Sequence, residues 1–163
     1  MAQWRNSNIR FGWIGRILHW SGVALFIAIY VGISGLDLPP KIYQRDSVVD
    51  THIWIGLGFF LLIAARLGWR LISINPVRGW RLNPRQEKFV VGLHQSLYLV
   101  VFLVSISGIL SIGITPPGVS LLDVDGLKLT RSVHNMLALG FLCLVAIHAF
   151  MALVNLISAP PTE

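Results

Sequence analysis

The stretch SVHNMLALGFLCLVAIHAFMALVNLI, residues 132 to 157, decides the fold. An apolar run of this length is what a helix needs to cross the roughly 30 Å hydrocarbon core of a bilayer. Pro160 and Pro161 forbid further helix beyond it. Three similar runs precede it. Ile17 to Leu36 contains no Asp, Glu, Lys or Arg; a second runs from about Thr51 to Leu71, with Arg66 and Arg70 toward its far end; a third begins near Phe89 and reaches about Ile114. The joints hold ordinary breakers: Pro39 and Pro40, then Asn75, Pro76, Asn83 and Pro84, then Pro116, Pro117 and Gly118. The expectation is an all-α integral membrane protein, one membrane domain over residues 1 to 163. Its four transmembrane helices, at about 17–36, 51–71, 89–114 and 132–157, are joined by loops short enough for an up-down-up-down bundle.

Composition agrees. The 163 residues are 55% hydrophobic and 12% charged, against about 25% charged in soluble globular chains. A net charge of +6 would suit a nucleic-acid binder only if the basic residues formed a stripe on a polar surface. Here the thirteen Lys and Arg residues are scattered between apolar runs, so nucleic acid is set aside. The single cysteine, Cys143, excludes an intrachain disulfide, and the C-x-x-C-H attachment motif of c-type haem is absent. Arg5, Arg10 and Arg16 before the first run resemble the start of a signal peptide, but the apolar core is too long and no small-residue cleavage site follows. It is read as a helix.

Basic residues set the orientation. With the N-terminus inside, the inner side holds Arg5, Arg10, Arg16, Arg66, Arg70, Arg78, Arg81, Arg85 and Lys88, nine in all. The outer loops hold four, Lys41, Arg45, Lys128 and Arg131, together with five aspartates. Both termini are therefore expected in the cytoplasm. No internal repeat or low-complexity segment stands out.

All five histidines, His19, His52, His94, His134 and His148, fall within the spans or at their ends, where ionisable groups are costly and usually functional. For a single histidine, a hydrogen bond between helices would be explanation enough. Five of five, two of them on one helix, ask for more. His134 and His148 are fourteen residues apart, so they return to within about 40° of one face across a rise of about 21 Å. In the expected topology His134 and His52 lie near the outer surface, and His148 and His19 toward the inner one. Two level pairs of neutral imidazoles in an apolar bundle suit bis-histidine ligation of haem iron. A tetrahedral zinc site would need four ligands at one depth. Small residues lie one turn from each histidine: Gly22, Gly56, Ala138 and Ala152. They make room for a flat ring or for close helix packing.

Taken together, Arg16-Ile17-Leu18-His19-Trp20, His52-x3-Gly56, Gly92-Leu93-His94-x3-Tyr98 and the His134, His148 pair resemble the bacterial cytochrome b561 family. The family is related to the cytochrome b subunits of nickel-iron hydrogenase and formate dehydrogenase. The resemblance covers about Arg16 to Val154. It implies a cytochrome with two haem b groups in a bacterial inner membrane, with His19 and His148 on the inner haem iron and His52 and His134 on the outer one. It also implies ubiquinone or another quinone as electron partner. Some members oxidise superoxide at the periplasmic face, so superoxide:ubiquinone oxidoreductase activity enters through kinship alone.

His94 is left over by that pairing. Near the start of span three, it has four readings: a replacement ligand, a contact to a haem propionate, a proton source for quinone, or a bond between helices. Tyr98, one turn on, reads as packing. Arg66, fourteen residues after His52, falls on the same face about 21 Å deeper. A cation there pairs with a propionate or snorkels to the headgroups. Arg70 and Arg16 carry the same two readings. Trp13, Trp20, Trp54, Trp69 and Trp80 fall mostly at span ends, where indoles settle at the interface.

Three functions remain open. One is electron transfer between two haems and quinone, for which His94, Tyr98 and the inner arginines form the candidate proton-handling cluster. Another is a haem-bearing membrane anchor for a partner dehydrogenase or larger respiratory complex. The last is a structural or transport bundle whose histidines only hydrogen-bond. Four basic and five acidic residues on the outer loops give no long-range attraction for an anion such as superoxide. That count favours a protein donor or a partner dehydrogenase, although Lys128 and Arg131 still offer a local basic patch near His134.

Overall fold

The computed structural model describes residues 4–7, 10–34, 42–74, 83–112 and 124–157. It is all-helical there: α1 Trp13–Ser34, α2 Ile42–Ile72, α3 Pro84–Ile112 and α4 Val124–Ile157. Each contains a segment long and apolar enough to cross a membrane, Trp13–Gly32, Val48–Ile72, Pro84–Ile112 and Val124–Val154. Most of their apolar side chains face outward. Trp54, Leu71 and Ile72 are more than two-thirds exposed, and Phe59, Leu93, Val101 and Phe141 are the buried hydrophobic residues among those described. In water that surface would be untenable; against lipid it is the expected one.

Every helix begins earlier than its apolar run: at Trp13 rather than Ile17, Ile42 rather than about Thr51, Pro84 rather than Phe89, and Val124 rather than Ser132. A charge-free run marks where hydrocarbon is crossed, whereas a helix ends where its terminal backbone groups find other partners. Asn83 and Pro84, expected as breakers, start α3. The Asn83 Oδ1 accepts the backbone N–H of Arg85 at 3.1 Å and of Gln86 at 2.9 Å, and the Asn83 N–H donates to Gln86 Oε1 at 3.0 Å. This is a reciprocal capping box, with Pro84 at the first helical position where no N–H is needed. The other expected breakers, Pro39, Pro40, Asn75, Pro76, Pro116, Pro117, Gly118, Pro160 and Pro161, lie outside the described residues.

Contacts gather into two compact units, Met1–Leu82 and Asn83–Glu163. In the first, α1 packs on α2, and the order of contacts reverses along the pair. Asn6 meets Ser73, Gly15 meets Arg66, and a Cβ on Gly22 would touch Ile63 and Leu62. The two helices are therefore antiparallel. The same holds in the second unit, where His134 of α4 lies against Val104 to Gly108 of α3, and His148 against His94.

The segment before α1 folds back on its own helix. Buried Asn6 donates to Ser73 Oγ at 3.1 Å and accepts the Gly12 N–H at 2.9 Å. Ser7 and Arg10 hydrogen-bond to each other, Ser7 N–H to the Arg10 carbonyl and Arg10 N–H to Ser7 Oγ. Gly12 is obligatory here, because any Cβ would run into the backbone of Trp4 and Arg5.

Candidate functional site

In the first unit each helix carries one histidine. His19, half-buried, lies one turn into α1, its ring 5.4 Å from that of Trp20. Its backbone N–H is due, by helix geometry, at the Gly15 carbonyl. That same carbonyl receives Arg66 Nη1 from α2 at 3.3 Å. The level expected for Arg66, alongside His19, is thus where this guanidinium sits, and a backbone carbonyl is one of its partners. Further donors remain on the planar group. Arg16 is exposed, with its guanidinium carbon 5.8 Å from the centre of the Trp13 ring. Arg70 is half-buried on the same end of α2. Trp69 is less peripheral than its position suggests: its indole nitrogen is buried without a hydrogen-bond partner among the described residues.

His52 lies toward the other end of the pair. It lines a recess of about 130 Å³ with Ala28, Ile29, Gly32, Val48, Thr51 and Ile55. Pockets for whole cofactors run to about 300–1,000 Å³, so this recess by itself is too small to hold one. The two small residues near these histidines differ. A Cβ at Gly22 would meet Ile63 Cδ1 at 3.5 Å, so Gly22 serves close packing of α1 on α2; at Gly56 a Cβ would meet nothing within 4 Å.

The second unit carries three histidines. His134 Nδ1 is 2.9 Å from the Val104 carbonyl across the helix pair. A carbonyl only accepts, so the proton of the neutral ring is on Nδ1 and the lone pair on Nε2. Ser107 Oγ also donates to Val104 O, at 2.9 Å, and lies 3.4 Å from His134 Nδ1. Gly108 gives the ring its space, since a Cβ there would come within 3.0 Å of His134 Cε1. At the other end, His94 Nδ1 lies 2.7 Å from the Val90 carbonyl of its own helix. Its ring meets that of His148 at 5.0 Å between centroids, with the planes 86° apart. Tyr98 is half-buried one turn further along α3.

The donor chemistry fits haem. A metal-binding histidine typically donates its second ring N–H to a carbonyl, which orients the ring and leaves the other nitrogen for the metal. His134 has that arrangement. Among the described residues no three His, Cys, Asp or Glu side chains converge, so nothing there builds a tetrahedral centre. Axial ligation of haem asks for two imidazoles.

The structure brings Arg66 to the level of His19, and His94 to the side of His148. Val104, Ser107 and Gly108, which set the His134 ring, escape sequence reasoning because they sit on another helix. The adjacent small residues Ser107 and Gly108 on span three were the available signal.

The family model for prokaryotic cytochrome b561 matches residues 10–160, nearly the whole chain. Comparison with curated proteins and with solved structures gives no match.

Proposed function

This chain belongs to the prokaryotic cytochrome b561 family, and from that premise we propose that it is a di-haem b cytochrome exchanging electrons with quinone across a bacterial inner membrane. Its coarse character follows from membership: a multi-pass membrane protein of a haem b electron-transfer family. The finer reading assigns His19 and His148 to an inner haem iron and His52 and His134 to an outer one. The helices run up-down-up-down with both termini cytoplasmic. The observation that carries it is the His134 ring, turned by the Val104 carbonyl so that its Nε2 lone pair is the one presented.

Haem, when bound, supplies reversible one-electron chemistry at iron. The work of this chain is to hold, bury and orient. His134 is fixed by Val104 and given room by Gly108. His52 lines its recess with Ala28, Ile29, Gly32, Val48, Thr51 and Ile55, mostly apolar surroundings for the ring. Arg66 and Arg16, each with guanidinium donors to spare, are the propionate partners of the inner site. Quinone reduction needs protons as well as electrons, and His94 and Tyr98 of α3, with the inner arginines, form the proton-handling cluster of this reading. Lys128, paired with Asp125 at 3.1 Å, carries little net attraction outward. That pairing, with the outer-loop balance of charge, favours a protein donor or partner dehydrogenase over superoxide as electron source. A haem-bearing anchor in a larger complex is the corresponding second reading.

The experiment is a dithionite-minus-air difference spectrum of the purified protein, with haem quantified per chain in single His→Ala variants. Expected are split α-band and Soret changes, and loss of about half the haem in each of the four ligand variants. A spectrum without those bands ends the haem reading.

A further inference from the structure

We propose that His94 is a positioning residue for His148, holding the plane in which that imidazole meets its iron. The proposal rests on the reading of His148 as an axial ligand. The two rings meet edge to face at 5.0 Å and 86°. Imidazoles sharing one iron stand on opposite sides of the porphyrin with the metal between their nitrogens, and an edge-to-face contact this close leaves no room for that plane. His94 is therefore beside the ligand, not across the iron from it.

His94 is also built to be rigid. Its Nδ1–H donates to Val90 O at 2.7 Å, which fixes both the tautomer and the rotation of the ring. Leu93, the preceding residue, is buried, so this turn of α3 is held in the helix pair. A locked ring set perpendicular to a second ring restricts the rotation of the second about its Cβ–Cγ bond. Such outer contacts tune a metal through its ligand. The plane of an axial imidazole governs how its orbitals overlap with those of low-spin iron, and so affects both the ferric paramagnetic signal and the potential.

The test uses the full chain purified with its haem. His94→Ala removes the ring, and His94→Phe restores an aromatic edge without the nitrogens. The alanine variant is expected to keep its haem content and low-spin state, while shifting the g-values and midpoint potential of one haem. The phenylalanine variant is expected to return both toward the starting values. His94→Leu gives the same readout if the alanine variant does not fold. Unchanged g-values and potential in both ring-free variants would overturn the proposal. So would a high-spin or lost haem, which makes His94 a ligand, or a shift that Phe, which keeps the ring edge but not the bond to Val90, does not reverse even in part. His148→Ala separates the two levels: if it retains all the haem, the ligand reading of His148 has failed, whatever His94 does.

Discussion

In the α1–α2 pair, cross-helix hydrogen bonds run from Arg66 to the Gly15 carbonyl and from Asn6 to Ser73. In the α3–α4 pair, His134 bonds the opposing Val104 carbonyl and packs on Gly108, while His148 meets the His94 ring. In the α3–α4 pair the proposed ligands are themselves packing elements. The orientation of His134 and His148 is accordingly written into α3, and changes on that helix should be felt at ligands on α4.

The sharpest break of this comparison sets His134→Ala against His52→Ala. Both are expected to lose about one of two haems by pyridine haemochrome assay. The His134 variant also removes the bond to the Val104 carbonyl of the facing helix and leaves a gap against Gly108, whereas a recess already stands beside His52. Its thermal midpoint, measured without haem, should fall by the equivalent of about 1–3 kcal/mol, and that of His52→Ala by less. Equal losses would mean that the histidines of the two pairs play the same structural part.

Glycine substitutions come next. Gly108→Ala puts a methyl group within 3.0 Å of the His134 ring, an overpacking worth about 1–3 kcal/mol, and on the proposed ligation it should perturb the spectrum of one haem. Gly56→Ala meets nothing within 4 Å. It should leave thermal stability level or slightly raised, since alanine is the better helix former by about 1 kcal/mol, while lowering haem occupancy if that space belongs to the ring. Stability loss at Gly56 with full haem would place a protein contact there instead.

These residues show what could be read before the structure. The four spans were legible because apolar length is a local property, and the level of Arg66 with His19 followed from helix rise alone. The nearness of His94 and His148 was half legible: a shared depth could be computed, but not the 5.0 Å contact, which depends on how α3 rotates against α4. Helix starts were missed, since an apolar run marks where hydrocarbon is crossed, whereas a helix begins where its first backbone N–H groups find partners. Asn6 and Gly12 were invisible because their partners, Ser73 and the Trp4–Arg5 backbone, matter only once the chain has folded back.

Smaller still is the effect expected at Arg66. Arg66→Gln should lower the thermal midpoint by the equivalent of about 1 kcal/mol, the modest value of a 3.3 Å bond to a carbonyl in a partly buried setting. If Arg66 also holds a propionate, the same variant shifts one haem potential, whereas Arg66→Lys restores the charge without the fork. A potential shift reversed by Lys separates the propionate role from the tie to Gly15.

A last pair of variants compares how the two units begin. The start of α3 needs partners for its first N–H groups: Pro84 has none, Asn83 Oδ1 takes those of Arg85 and Gln86, and Glu87 already bonds the Asn83 carbonyl at 3.0 Å. The cap is exposed, so in Asn83→Ala water replaces it, and the loss should be about 1 kcal/mol, recovered by Asn83→Asp. At α1 the equivalent bond, from the Gly12 N–H to Asn6 Oδ1, is buried, where water is a poor substitute and an unmade bond costs about 1–3 kcal/mol. The ratio matters more than either value. Thermal unfolding of Asn6→Ala and Asn83→Ala should show the first clearly the weaker protein, and parity would mean that the folded-back segment adds nothing to α1 beyond an ordinary cap.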